Sequence, residues 1–124
     1  MEFVEMIKLA KETLNPRELF NGNYAGSVAA VIESESGNIY KGVCIDTSSS
    51  MGFCAEHSAI GSMITGGENK IVKCVAVYKD GTVIAPCGRC REFMSQIHED
   101  NLNAQIMVNN GIIVKLSELL PYRR

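Results

Sequence analysis

Tryptophan is absent from this chain, and no stretch approaches the roughly 20 apolar residues that a bilayer-spanning helix requires. A membrane span is therefore not expected. The first residues, Met1-Glu2-Phe3-Val4-Glu5, are acidic where a secretory leader would be basic, which favours a soluble cytoplasmic protein. Positive charge is also scarce. The chain carries 12 Lys and Arg against 14 Asp and Glu, and its basic clusters, Arg89/Arg91 and Arg123-Arg124, are small and far apart. A polyanionic partner calls for a basic face, so the charge balance points to a small-molecule partner and not to nucleic acid. Repeats, linkers and low-complexity segments are missing, and 124 residues at 46% hydrophobic predict one domain spanning 1–124. Nor is there a disulfide framework, because five cysteines are an odd number at unrelated spacings.

Apolar periodicity predicts an amphipathic helix over 2–14, which Asn15-Pro16 stops. Val28 to Ile32, the turn Ser36-Gly37-Asn38 and Ile39 to Val43 read as a β-hairpin. Residues 54–65 read as a helix ended by Gly66-Gly67, with Cys54 in its first turn. Ile71 to Tyr78 is nearly continuously apolar, the pattern of a strand covered on both faces. Pro86 is read as opening a second helix over 87–98, in the position that tolerates a missing N–H. Two short strands around Asn109-Asn110-Gly111 and a last helical turn over 117–120 complete an α-β-β-α-β-α-β-β order. That order predicts a three-layer α/β/α sandwich with helices on both faces of a mixed sheet.

Against this background two motifs stand out: Cys54-Ala55-Glu56, and later Pro86-Cys87-Gly88-Arg89-Cys90. Each opens a helix. Cys87 and Cys90 are spaced to lie on one face of a first turn, and with Cys54 they supply three thiolates for a zinc ion. Three protein ligands leave a tetrahedral zinc one open position, the arrangement that lets it carry a reactive water. Glu56 is then the adjacent proton carrier. A Cys-x-Glu followed by Pro-Cys-x-x-Cys is the mark of zinc deaminases that hydrolyse the exocyclic amine of a nucleobase. Other readings use the same residues. A closed structural zinc site would recruit Cys44, Cys74, His57 or His98 as fourth ligand but leave Glu56 without a task. Cys44 and Cys74 are read as buried thiols in strands, and His98 as a solvated residue at a helix end. A thiol–disulfide oxidoreductase would use Cys87 and Cys90 alone, yet that leaves Cys54 and Glu56 idle and lacks a Trp beside the motif.

These motifs, with Gly37 to Val43 and Glu118-Leu119-Leu120-Pro121, resemble the cytidine deaminase family in its small homotetrameric, three-cysteine form. The Pro-Cys-Gly-Arg-Cys-Arg string and the closing Glu-Leu-Leu-Pro are also similar to blasticidin-S deaminase within that family. The resemblance implies zinc on Cys54, Cys87 and Cys90, Glu56 as proton shuttle, and cytosine held through main-chain groups near Ala55 and Ala85. It also implies active sites completed at subunit contacts, and a substrate that is a cytosine nucleoside or an analogue such as blasticidin S. Three positions depart from the family pattern. Cys44-Ile45-Asp46 stands where the family's sugar-reading Asn-x-Glu is expected, so Asp46 retains only a carboxylate acceptor. Its capping of the following turn is the competing reading. Ala25 stands in place of a wall Phe, and His57 in place of an Arg that donates to the zinc thiolates. A decayed, non-catalytic paralogue that binds zinc and nucleoside would show the same departures.

Overall fold

The computed structural model describes residues 1–123; Arg124 of the C-terminal basic pair lies outside them. Helix α1 spans Phe3–Thr13, with the Glu5 carboxylate taking the Glu2 N–H at 3.4 Å in a capping box. Pro16 sets its end, because the residue before a proline is driven out of the helical region. Strand β1 (Arg17–Phe20) then turns through Asn21-Gly22, both at positive φ, into the long strand β2 (Asn23–Ser34). After Gly37 at φ +84, β3 runs from Ile39 to Asp46.

Helix α2 (Ala55–Thr65) follows, then β4 (Ile71–Tyr78), the two-residue β5 (Val83–Ile84), helix α3 (Gly88–Ile97), β6 (Gln105–Asn109) and β7 (Ile112–Lys115). Single 3₁₀ turns occupy Ser48–Ser50, Glu99–Asn103 and Leu116–Leu119. The sheet order is β3-β2-β4-β6-β7, with β1 beside the start of β2 and β5 beside β4. Most pairs are antiparallel and β4–β6 is parallel, so the sheet is mixed as expected. α3 is the crossover that the parallel pair requires.

Strand alternation divides the interior into two cores. Ala30 and Ile32 of β2 and Cys74 and Ala76 of β4 face α2 and α3, meeting Ala59, Ile60, Met63 and Met94. Their neighbours Ala29, Val31, Val75 and Val77 point the other way, onto Phe3, Met6 and Ala10 of α1. β4 is thus covered on both faces, which is why its sequence is apolar throughout. Between α3 and β4, the fully buried Asn101 accepts the Ile71 N–H and donates to the Asn69 and Met94 carbonyls.

Several details differ from the expected order. β1 and β5 were not anticipated: all four β1 residues are exposed, and β5 is too short to show a period. Cys54 and Cys87 are N-caps and not first-turn residues. Pro86 accordingly lies outside α3, one residue before its cap, where its carbonyl accepts from Arg91 Nε at 2.8 Å. His98 has a local task, accepting the Asp100 N–H on Nδ1 as the cap of a 3₁₀ turn.

The β2–β3 hairpin is tied to the end of α2 by Glu68, which accepts from Tyr40 Oη at 2.6 Å and Asn38 Nδ2 at 2.9 Å. The Tyr40 hydroxyl, helped by Asn38, holds the Glu68 carboxyl down at about 2 against an ordinary 4.5. A carboxylate depressed in the folded state contributes its stability fully above pH 4.5 and loses it as pH falls toward 2. Melting temperatures measured across that window should therefore fall more steeply for the parent than for Glu68→Gln; parallel curves would remove Glu68 from the acid response.

Candidate active site

Both cysteine motifs arrive at one place because α2 and α3 pack on the same face of the sheet, with their N-termini converging. As N-caps at extended φ/ψ, Cys54 and Cys87 point their sulfurs off the helix starts, 3.4 Å from each other. Cys90, one turn into α3 and fully buried, lies 3.6 Å from Cys87, and within 4.8 Å of Cys54. Two sulfurs at about 2.3 Å from one tetrahedral zinc stand about 3.8 Å apart, so these separations fit the ion with little adjustment. The metal fit rests on donor chemistry as well: three soft thiols and an imidazole gathered at two helix starts, where the dipoles favour negative charge.

His57 belongs to that gathering. Its Nδ1 is 3.1 Å from Cys90 Sγ, it shares the 4.8 Å cluster with Cys54 and Cys90, and its ring stacks on Phe93 at 4.5 Å and 19°. A nitrogen and a sulfur bound to the same zinc would be about 3.6 Å apart, so 3.1 Å is instead the distance of a direct hydrogen bond between the ring nitrogen and the sulfur. Of the other residues open to a fourth-ligand role, Cys74 is buried on β4 in the core between the sheet and the two helices, and His98 caps the far end of α3. Cys44 lies in the cavity wall, bonded to its own neighbours.

The thiols respond differently to this crowding. Burial pushes Cys54 up to about 11, and the Cys87 thiol adds to the rise. Cys90 is raised further, by burial and by the nearby Glu56 charge. Burial also acts on Cys87, but the backbone N–H groups of Cys90 and Arg89 and the Cys54 thiol together carry it below the ordinary value. Of the three sulfurs, Cys87 alone is thus shifted toward the thiolate.

These groups open onto a cavity of about 460 Å³ lined by Cys54, Ala55, Glu56, Ala85, Cys87 and Asp46, among others. Six of the expected site residues, besides Cys90 beneath them, are thereby brought together. Glu56 is only 4% exposed; burial pushes its carboxyl up, while its own backbone N–H and the Cys90 thiol pull partly against that. Asp46 is at the exposed end of β3 and accepts from Cys44 Sγ at 3.5 Å. It does not cap the turn after it, because Asn23 Oδ1 takes the Ser48 N–H at 3.1 Å. Ser27 and Phe53 also line the cavity and were not singled out from sequence. Only the β2 register, set by residues distant in the chain, reveals Ser27.

Comparison with known proteins agrees with this geometry. Residues 5–105 match the family described as the cytidine and deoxycytidylate deaminase zinc-binding region. Blasticidin-S deaminase of Bacillus cereus is 30% identical over 131 aligned positions, covering 97% of this chain and 90% of that protein. Cytidine deaminase of Halalkalibacterium halodurans is 27% identical, covering 91% and 89%. Among solved structures, cytidine deaminase from Mycobacterium leprae superimposes with a TM-score of 0.82 at 24% identity, covering 98% of each chain. The Bacillus anthracis cytidine deaminase does so with a TM-score of 0.72 at 27% identity, covering 97% and 87%.

Metal analysis of the isolated protein should find about one zinc per chain, with Cys87 and Cys90 protected from alkylation until a chelator is added. After chelation, exposed Cys87 should react first and buried Cys90 last. Metal-free protein that cycles readily between dithiol and disulfide would contradict the zinc assignment.

Proposed function

The chain belongs to the cytidine and deoxycytidylate deaminase family, a zinc-dependent hydrolase family, and from that premise we propose that it deaminates a free cytosine nucleoside. The substrate class is cytidine, deoxycytidine or a cytosine nucleoside analogue such as blasticidin S, and the products include ammonia. The observation that carries this reading is the buried Glu56 carboxyl facing a cavity beside three sulfurs at metal-sharing distances.

In this reading Cys54, Cys87 and Cys90 hold the zinc, and His57 donates to the Cys90 sulfur. Zinc bound there supplies Lewis acidity that lowers the pKa of water and strengthens it as a nucleophile. Glu56 takes a proton from that water and passes it to N3 of the ring as the oxygen adds to C4. It then takes the proton of the hydroxyl now on C4 and delivers it to the departing amine, ending in the state in which it began. The oxygen of water has replaced the nitrogen at C4, and ammonia leaves. A carboxyl raised by burial suits this alternation, since its two protonation states lie closer in free energy near neutral pH. Cytosine is held by main-chain groups near Ala55 and Ala85, and Asp46 accepts a hydrogen bond from the group attached to N1.

Homotetramer assembly is part of the same proposal. What supports it is apolar surface around the cavity: Met51 is 77% exposed and Phe53, which lines the cavity, 39%. A second copy of the chain would cover such a rim and complete the site. Residence in the reducing cytoplasm would keep the thiols available to the metal.

Loss of ultraviolet absorbance on incubation with cytidine, deoxycytidine, N4-substituted cytidines and blasticidin S tests the reaction. Glu56→Gln should retain zinc and fold while turnover drops by about 100-fold or more, because the amide fills the same space but carries no proton. Equal activity of that variant would remove Glu56 from the mechanism. Silence of the zinc-loaded parent across the whole panel would instead leave a non-catalytic nucleoside-binding protein.

A further inference from the structure

Helices α2 and α3 begin in the same way. Each is capped by a cysteine in extended backbone, Cys54 at φ −69 and ψ 159 and Cys87 at φ −69 and ψ 168. Each cap carbonyl accepts the N–H four residues on, from Ser58 at 3.2 Å and from Arg91 at 3.0 Å. The third residue of each helix is again of a metal-ligating type, His57 in α2 and Cys90 in α3. A cap and the third helical residue share one side of a helix start, so Cys54-x-x-His57 and Cys87-x-x-Cys90 are equivalent donor pairs aimed at the same space.

Four donors thus surround a site for which the deaminase reading uses three. His57 is held among them by its ring, which lies on Phe93 at 4.5 Å, and by its Nδ1, 3.1 Å from Cys90 Sγ. Its nitrogen and the sulfurs of Cys54 and Cys90 all fall within 4.8 Å of one another. On one zinc two sulfurs stand about 3.8 Å apart and a nitrogen and a sulfur about 3.6 Å, so no pair in this group has to move by more than about 1.2 Å to share the ion. Cys54, His57 and Cys90 are therefore a second triad, which keeps two sulfurs of the first and replaces Cys87. The sulfur it replaces is the exposed one, whereas Cys90 is buried. The Arg that the family resemblance expects at position 57 has no such capacity, because a guanidinium keeps its protons and offers no lone pair.

We propose that His57 is a reserve zinc ligand, which holds the metal together with Cys54 and Cys90 when the Cys87 sulfur is removed or blocked. While Cys87 is in place the imidazole stays hydrogen-bonded to the Cys90 sulfur and leaves the fourth position open for the reaction. The inference rests on the zinc deaminase reading and adds a ranking within it: Cys54 and Cys90 are indispensable to the metal, and Cys87, the sulfur that solvent reaches, is replaceable.

Zinc content and zinc affinity of the parent, His57→Phe, Cys87→Ala, Cys90→Ala and the double variant Cys87→Ala/His57→Phe test the ranking. Phenylalanine keeps a ring against Phe93 and removes both nitrogens. Cys87 is exposed, so its truncation leaves the core intact, and circular dichroism checks the fold of every variant. The parent, His57→Phe and Cys87→Ala should each carry about one zinc per chain, while Cys90→Ala and the double variant lose it. Partners outside the ligand set are worth about 10- to 100-fold in metal affinity, so His57→Phe should weaken zinc by no more than about 100-fold in the parent and by more than that in the Cys87→Ala background. In cobalt-substituted protein, the thiolate-to-metal absorption of Cys87→Ala should report two sulfurs against three in the parent. Cys87→Ala that loses zinc as completely as the double variant, or a double variant that holds it as tightly as Cys87→Ala, would overturn the reserve role. A zinc-binding parent with either result leaves the deaminase reading standing; a parent that binds no zinc removes that reading as well.

Discussion

Cys54 Sγ and Cys87 Sγ stand 3.4 Å apart although 33 positions separate them in the chain, and holding that approach is the constraint the rest of the fold serves. Neither sulfur could be placed from within its own helix, since each is a cap whose direction depends on where the helix starts. α2 starts where β3 ends in the Ser48–Ser50 turn, and the isolated bridge between Ile45 and Phe53 closes that loop just before Cys54. α3 starts where β5, held on β4, delivers Pro86. Two independent strand pairings therefore aim two helices. The apolar double layer around β2 and β4 is what keeps both pairings in register.

Crowding three thiols has an electrostatic consequence that only a cation resolves. Burial raises Cys54 and Cys90 while backbone N–H groups lower Cys87, so joint ionisation of the three is opposed. A zinc ion must displace the remaining protons, so its affinity is tied to pH and its binding energy becomes folding energy at this end of the molecule. The two carboxylates of the cavity divide along the same line. Glu56 is buried beside the sulfurs and raised, the state suited to carrying a proton. Asp46 is exposed at the end of β3 and accepts a hydrogen bond from Cys44 Sγ. One functional group is thus set in two environments, and burial is what distinguishes them.

What could be read from the residues follows from how local each signal is. Helix α1, strand β4 and the hairpin turn at Gly37 carry their determinants within a few residues, and they lie where the periodicity and turn chemistry predict. The metal cluster was legible because its chemistry restricts residue type so narrowly that spacing alone is informative. β1 escaped notice because none of its four residues is buried, leaving it no alternation. The caps were misplaced by one residue for a related reason: Cys54 and Cys87 bond to each other across the site, and no local side-chain bond marks them as caps.

Ser27 was invisible for a deeper reason. Its direction comes from the number of residues β2 inserts opposite β3, and that number depends on Gly26 meeting Asn15 after α1 has ended. A displaced sulfur no longer shares the ion, whereas Ser27 and Asp46 on the cavity wall lie outside both cores. Cys44 joins wall and core: 6% exposed, it packs as a small apolar residue against the α2 face while its sulfur serves three polar neighbours. The clustered cysteines and Glu56 therefore sit on α2, α3 and their caps, whereas Ser27, Cys44 and Asp46 sit on β2 and β3.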